Sequence, residues 1–133
     1  MEPRKAVIDG TEIDLVPWAS HNKDELVLKP NDDYGGKGIV LGWTVDQRTW
    51  DDAIQVALAS PYVVQRKVPV PSEAFPSFEN NGLRVFDRTL DTNPYVCFGA
   101  FMHGCLTRIS TEALVNVTAG GGSTVPTFLV ESR

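Results

Sequence analysis

The sequence predicts an α+β fold: a small strand and helix unit followed by a mainly antiparallel set of strands. Three observations carry this. Two β-prone runs, 25–29 and 39–43, flank a glycine-rich loop; one stretch after Thr49 has helical spacing; and four β-prone segments crowd the last third of the chain. The alternating βαβ units of a doubly wound parallel sheet do not occur in this order.

Residues 1–23 form a weakly patterned lead-in, with short apolar pieces at 6–8 and 13–16 and a turn at Asp9-Gly10. Residues 24–68 form the first patterned region. Its opening strand is ended by Pro30, and Asn31 to Gly38 is rich in residues that tolerate tight turns. At about eight residues this connection is longer than an ordinary hairpin loop, which suggests a loop with a role of its own. Thr49 with Asp52 predicts a capping-box helix start, Ala53, Ile54, Ala57 and Leu58 share one face, and Pro61 marks the end. Residues 62–68 read as a buried strand, and the Pro-rich stretch 69–82 as a surface loop. Residues 83–133 form the antiparallel part, with strands at 83–90, 95–102, 105–110 and 114–118. His103-Gly104 serves as a hairpin turn, and the glycines at 120–122 set off 125–130.

The bulk numbers exclude several classes. At 133 residues the chain fits one domain, and such a chain buries roughly two thirds of its unfolded surface, so folding needs no metal or disulfide. A net charge of −5, with twelve basic residues that form no stripe, disfavours nucleic acid. No apolar run approaches the ~20 residues of a membrane span. Cys97 and Cys105 have no zinc-type spacing and read as small hydrophobes on neighbouring strands, His103 as a turn residue, and Trp18, Trp43 and Trp50 as packing groups. The sequon-like Asn116-Val117-Thr118 is expected to be accidental, since no long apolar region follows the first five residues. A cytoplasmic setting with reduced thiols is expected.

Phosphate handling is the first chemistry to weigh. Gly35, Gly36, Lys37 and Gly38 can aim backbone N–H groups at an anion while Lys37 adds a mobile charge. A flexible hairpin tip with a solvated lysine fits the same four residues, and the loop is not a Walker A sequence. Arg108 likewise reads either as an anion-facing guanidinium or as a surface arginine at a strand end.

The ordered set is more specific than its members. Leu28-Lys29-Pro30, the glycine loop, the following strand and helix, and Tyr62-Val63-Val64-Gln65 resemble the lid subdomain of ATP-grasp enzymes. Gly99, Gly104, Thr107-Arg108-Ile109-Ser110, Asn116-Val117-Thr118 and Gly120-Gly121-Gly122 resemble the C-terminal signature of the circularly permuted ATP-grasp family. The likeness covers residues 24–130 and implies an incomplete ATP-grasp fold, with the upstream part of the parent outside this chain.

The resemblance implies a carboxylate-amine ligase that activates a carboxylate as an acyl phosphate, using ATP and Mg2+. It implies that Lys29 contacts the nucleotide phosphates, with Gly35, Gly36, Lys37 and Gly38 closing over them. Gln65 and the carbonyl of Arg66 would face the adenine amino group, and the amide of Val68 its ring nitrogen. Many members carry Glu after the Gln, so Arg66 is a departure. Arg108 and Asn116 match the arginine and asparagine that face phosphate and acyl substrate. Asp91 matches an acidic position, although an Asp in a turn explains it equally well. Magnesium ligands are expected mostly outside this chain, since Asp9, Glu12 and Asp14 lack ligand spacing. The isolated chain is expected to be inactive; the rival reading is a non-catalytic nucleotide-binding or assembly module. The acid, the amine and the oligomeric state cannot be read from these residues.

Overall fold

A computed structural model describes residues 4–115, 117 and 122–131. The fold is α+β with antiparallel sheets and two α-helices. The chain forms two compact units, Met1–Val68 and Pro69–Arg133.

The lead-in is structured. Strands β1 (Lys5–Ile8) and β2 (Thr11–Asp14) form a hairpin whose turn residues, Asp9 and Gly10, have φ of 50° and 81°. Both central positions of such a two-residue turn must be left-handed, which is why Asp-Gly suits it. Helix α1 (Leu15–His21) follows and buries Leu15 and Ala19. Its seven residues are too few to display helical periodicity, and Pro17 in its first turn removes an N–H that has no intrahelical acceptor anyway.

A 3-10 turn (Lys23–Glu25) leads into β3 (Leu26–Pro30), and the glycine loop returns to a short β4 (Val40–Leu41). A second 3-10 turn (Gly42–Thr44), helix α2 (Gln47–Ala59) and β5 (Tyr62–Arg66) complete the unit. The sheet order is β4-β3-β5, antiparallel throughout. Ala19, Leu26, Leu28, Trp50, Ile54 and Ala57 form its core, with Tyr62, Val64 and Val40 packed against them. Alternation along β3 sends Leu26, Leu28 and Pro30 inward and leaves Val27 and Lys29 on the opposite face.

Two sequence expectations shift here. Helix α2 starts at Gln47, not at Thr49, because the Asp46 carboxylate accepts from the Thr49 N–H at 2.8 Å and occupies the N-cap. Strand β5 is an edge strand, not a buried one. It pairs only with β3 in its sheet, and Val63 is 44% exposed.

That cap carries a prediction. The Thr49 backbone N–H, then its hydroxyl, hold the Asp46 carboxyl below its usual range. The cap's contribution is therefore fully present above the unfolded-state carboxylate pKa and is lost as pH falls through the lower folded-state value. Asp46→Ala should lower Tm at neutral pH by about a few degrees, while Asp46→Asn should retain most of it and flatten the acid-side dependence. Equal melting of all three proteins across that pH range would rule the cap out.

The second unit is a sheet of order β6-β7-β8-β9, comprising β6 (Ser72–Glu79), β7 (Gly82–Cys97), β8 (Phe101–Ser110) and β9 (Gly122–Val125). The expected surface loop 69–82 thus contains a full strand, and the reason prolines do not prevent it lies in the register. The Leu90 N–H donates to the Pro71 carbonyl, which sets the phase so that Pro76 turns its nitrogen to the free edge. Strand β7 likewise runs through Pro94, whose nitrogen faces the side where β6 has already ended.

The expected turn at His103-Gly104 is replaced. Both residues lie inside β8, and the chain reverses at 98–100, where Phe98 and Gly99 take φ of 55° and 66°. Beside it, a register irregularity between Tyr95 and Val96 kinks the pairing. The described residues of 114–118 form no strand, and Asn116 and Thr118 lie outside the described residues. Gly122 opens β9, which ends at Val125; 126–131 has no regular structure.

Candidate functional site

The antiparallel register decides which side chains share the open face of β4-β3-β5. Lys29 is opposite Val63, and Val27 is opposite both Gln65 and Leu41. Lys29 and Gln65 are therefore diagonal neighbours on one face, roughly 7–8 Å apart at the backbone. Both are exposed. The other face of this sheet is filled by the core, so one side of the unit is apolar and sealed while the other offers an amine and an amide over a floor of Val27, Leu41 and Val63.

The edge of β5 adds backbone groups. Asn31 N–H donates to Pro61 at 2.9 Å and Lys67 N–H to Glu25 at 2.8 Å, so residues 61 and 67 turn their polar groups toward β3. Odd residues between them do the same. The alternation then points the Arg66 carbonyl away from β3, onto the free edge, while Val68 lies two residues beyond the end of the strand.

The Arg66 side chain is engaged elsewhere. Its guanidinium donates to the Asp9 carboxylate at 3.3 and 2.5 Å, bracing β5 against the turn of the β1-β2 hairpin. This bond, then the charge of Arg66, holds the Asp9 carboxyl below its usual range, and Arg66 is raised in turn. Both groups are well exposed, so the pair adds little stability.

In the glycine loop, Gly35, Gly36 and Gly38 all take positive φ. A Cβ at Gly38 would stand 2.7 Å from the Tyr62 hydroxyl and 3.2 Å from Pro30, so the loop crosses the ends of β3 and β5 at close range. The Lys37 ammonium lies 5.6 Å from the Tyr34 ring.

Lys67 was not singled out from sequence. Its ammonium sits 4.2 Å over the Trp43 ring, a cation–π contact that fixes a positive charge two residues beyond Gln65. The period-two spacing of Gln65 and Lys67 was the available signal.

Arg108 and Asn116 belong to the second unit. Arg108 is the cross-strand partner of Asp91, and its Nε donates to Asp91 Oδ2 at 2.8 Å while Nη2 reaches the same oxygen. Both side chains are about two thirds buried, so the arginine is an ion-paired mid-strand residue and not a solvated one at a strand end. Asn116 lies outside the described residues.

No family model, curated protein or solved structure matches this chain. Among the described residues no group of three His, Cys, Asp or Glu side chains is placed to hold a metal ion. Asp9 is bound to Arg66, and Glu12 to Lys5 at 2.7 Å. Cys97 and Cys105 are free thiols, half-buried on adjacent strands. Among the described residues no helix is long and apolar enough to cross a membrane. A cleft of about 530 Å³ is lined by Arg4, Asn31 and 58–62, and another of about 300 Å³ includes Asp32 and Asp33. Neither of these two clefts is lined by Lys29 or Gln65.

Proposed function

We propose that the open face of β4-β3-β5 binds ATP, and that the chain is the C-terminal, nucleotide-binding part of an ATP-grasp-like ligase joining a carboxylate to an amine. The observation that carries this is the register of β3 and β5, which sets Lys29 and Gln65 on one exposed face beside the outward carbonyl of Arg66. In this reading the Lys29 ammonium offers three donors to phosphate oxygens. Gly35, Gly36, Lys37 and Gly38 close over the same phosphates. Gln65 and the Arg66 carbonyl accept from the adenine amino group, and the Val68 N–H donates to a ring nitrogen. The floor of Val27, Leu41 and Val63 takes the face of the base.

The reaction proposed is displacement at the terminal phosphorus of ATP by a carboxylate oxygen, with ADP leaving. An amine then attacks the acyl carbon, phosphate leaves and the amine loses a proton. Arg108 and Asn116 are proposed to face the charge that gathers in these steps. Such chemistry uses Mg2+. No group of three described His, Cys, Asp or Glu side chains is placed to hold it, and its ligands are proposed to lie outside this chain. ATP and free thiols suit the cytoplasm.

The rival reading, a non-catalytic nucleotide-binding or assembly module, is favoured by one observation. Arg108 is already neutralised by Asp91, and a guanidinium locked to a carboxylate is less available to a developing anion.

Calorimetry with ATP and Mg2+ tests the site. Lys29→Ala should weaken binding about tenfold or more, the scale of one charge-assisted phosphate contact. Unchanged affinity would remove the lysine from the site. Phosphate release in the presence of carboxylate and amine separates ligase from module.

A further inference from the structure

The sixteen residues 92–107 contain no Asp, Glu, Lys or Arg, in a chain of which 22% is charged. The stretch is bounded by Asp91 and Arg108, which neutralise each other across β7 and β8. Register makes most of it an arm. Strand β6 accompanies β7 only as far as Leu90, and β9 accompanies β8 only from Thr107 onward, so between 92 and 106 the described sheet is two strands wide. Large apolar side chains crowd its end: Val96, Phe101 and Met102 are exposed, and Phe98 is 97% exposed. They are not confined to one face. Val96 is opposite Met102 and Cys97 is opposite Phe101, so these two pairs project to opposite sides of the ribbon. Phe98 stands in the reversal itself, its ring centre 6.4 Å from that of Phe101. The turn at the other end of β7 is polar by contrast, with Asn80 and Asn81 followed by Arg84.

A contiguous apolar surface of this kind marks an interaction that covers it. A groove on a folded partner covers one face of a ribbon, whereas apolar groups on both faces and at the apex suit a fluid medium that surrounds the tip. We propose that the β7-β8 hairpin tip inserts into the surface of a lipid bilayer, with Val96, Phe98, Phe101 and Met102 among the acyl chains. Residues 95–98 span roughly 10 Å at the rise of a strand, the depth of the headgroup and acyl boundary that interfacial segments reach. Tyr95 is exposed at the base of the inserted part, close enough to β8 that a Cβ at Gly104 would lie 3.9 Å from its ring. An amphipathic ring suits the headgroup level, where its hydroxyl stays hydrated. The outer edges of the ribbon face no third strand, and hydrocarbon cannot satisfy the peptide groups there, so the arm enters the interface and does not cross it. Charge selects the lipid. An uncharged tip on a chain of net charge −5 gains nothing from anionic headgroups, so the surface it fits is zwitterionic. The inference uses residues of the second unit only and stands independently of the nucleotide reading.

Flotation of the full chain with phosphatidylcholine vesicles tests the assignment. The bound fraction should rise with lipid, and adding phosphatidylserine should not strengthen binding. Phe98→Asn should lower the partition coefficient about tenfold or more, the scale of taking one large apolar side chain out of the acyl region. Asn accepts the left-handed φ of 55° at this position, so the variant should melt as the wild type does. Leu83→Ser, exposed on the same strand but beside the polar turn, should float normally, as should Lys29→Ala. Phe98→Trp should retain binding and add fluorescence that brominated acyl chains quench. Absence of flotation, equal flotation of Phe98→Asn, binding that requires phosphatidylserine, or no added quenching in Phe98→Trp would overturn the proposal. Self-association that Phe98→Asn abolishes, without lipid binding, would assign the tip to a second copy of the chain instead. None of these measurements involves ATP, so failure here and failure of the nucleotide proposal are read separately.

Discussion

Trp50→Ala should destabilise the first unit by about 3–5 kcal/mol, the range for removing a fully buried aromatic side chain. Trp50 is 0% exposed and packs among Ala19, Leu26, Leu28, Ile54 and Ala57. Its indole N–H also donates to the Ala19 carbonyl at 3.0 Å, tying α2 to α1 across thirty-one positions of sequence. Truncation therefore opens a cavity and leaves a buried carbonyl without its donor. Trp50→Phe isolates the second effect: it keeps most of the apolar area and should cost about 1–3 kcal/mol. Urea unfolding followed by tryptophan fluorescence reports on this unit specifically, because all three tryptophans, Trp18, Trp43 and Trp50, lie before residue 69. A loss under about 1 kcal/mol for the alanine variant would contradict the core described here.

Gly42→Ala should cost on the order of 3 kcal/mol, although it adds a single methyl group. A Cβ at this position would lie 1.8 Å from the Lys23 carbonyl oxygen, 2.6 Å from its carbon and 3.1 Å from the Leu26 carbonyl oxygen. All three atoms are backbone, so no side chain can swing aside. The Lys23 ammonium tightens the same junction by donating to the Gly42 and Val45 carbonyls, each at 3.0 Å. The two 3-10 turns must separate to admit the methyl, and β3 and β4 are anchored by them. Gly35→Ala is the control. It meets nothing within 4 Å and should cost only about 1–2 kcal/mol, for its φ of 66°. Similar losses for the two variants in the same urea experiment would show that close backbone approach is not what requires Gly42.

The candidate face shows how far spacing carries. Lys29 at the end of a strand and Gln65 in another were both singled out from the residues around them, and strand alternation alone makes each a surface candidate. Whether they face one another is a question of pairing. A shift of one residue in the β3-β5 register would send Gln65 to the core side and Val64 outward. Lys67 was passed over because the cation–π contact that fixes it depends on Trp43, twenty-four positions away. Arg88 was passed over for a related reason, since nothing local distinguishes it from Arg84. Only the burial of its Nε does so.

Several of the differences between sequence and structure lie at prolines and turns. The Pro-rich stretch 69–82 reads as a surface loop, yet register turns the nitrogen of Pro76 to a position that needs no donor, as it does for Pro94 in β7. His103-Gly104 read as a turn, but the reversal went to Phe98-Gly99, where a bulky residue accepts a left-handed conformation that its own propensity disfavours. Propensity is local and weak there; the pairing of β7 with β6 over 82–89 and with β8 over 89–97 outweighs it.

By itself the sequence determined the α+β class, the long glycine connection between two strands, the helix carrying Ala53, Ile54 and Ala57, and the Asp9-Gly10 reversal. Each is set by interactions within a few residues, through steric limits on φ or the period of apolar side chains. Tertiary structure alone decided which strands pair and in what register, that Arg108 is spent on Asp91, and that Lys29 and Gln65 share a face. Those outcomes depend on contacts between residues far apart in the chain, whose free energy appears only when the whole unit closes around its core.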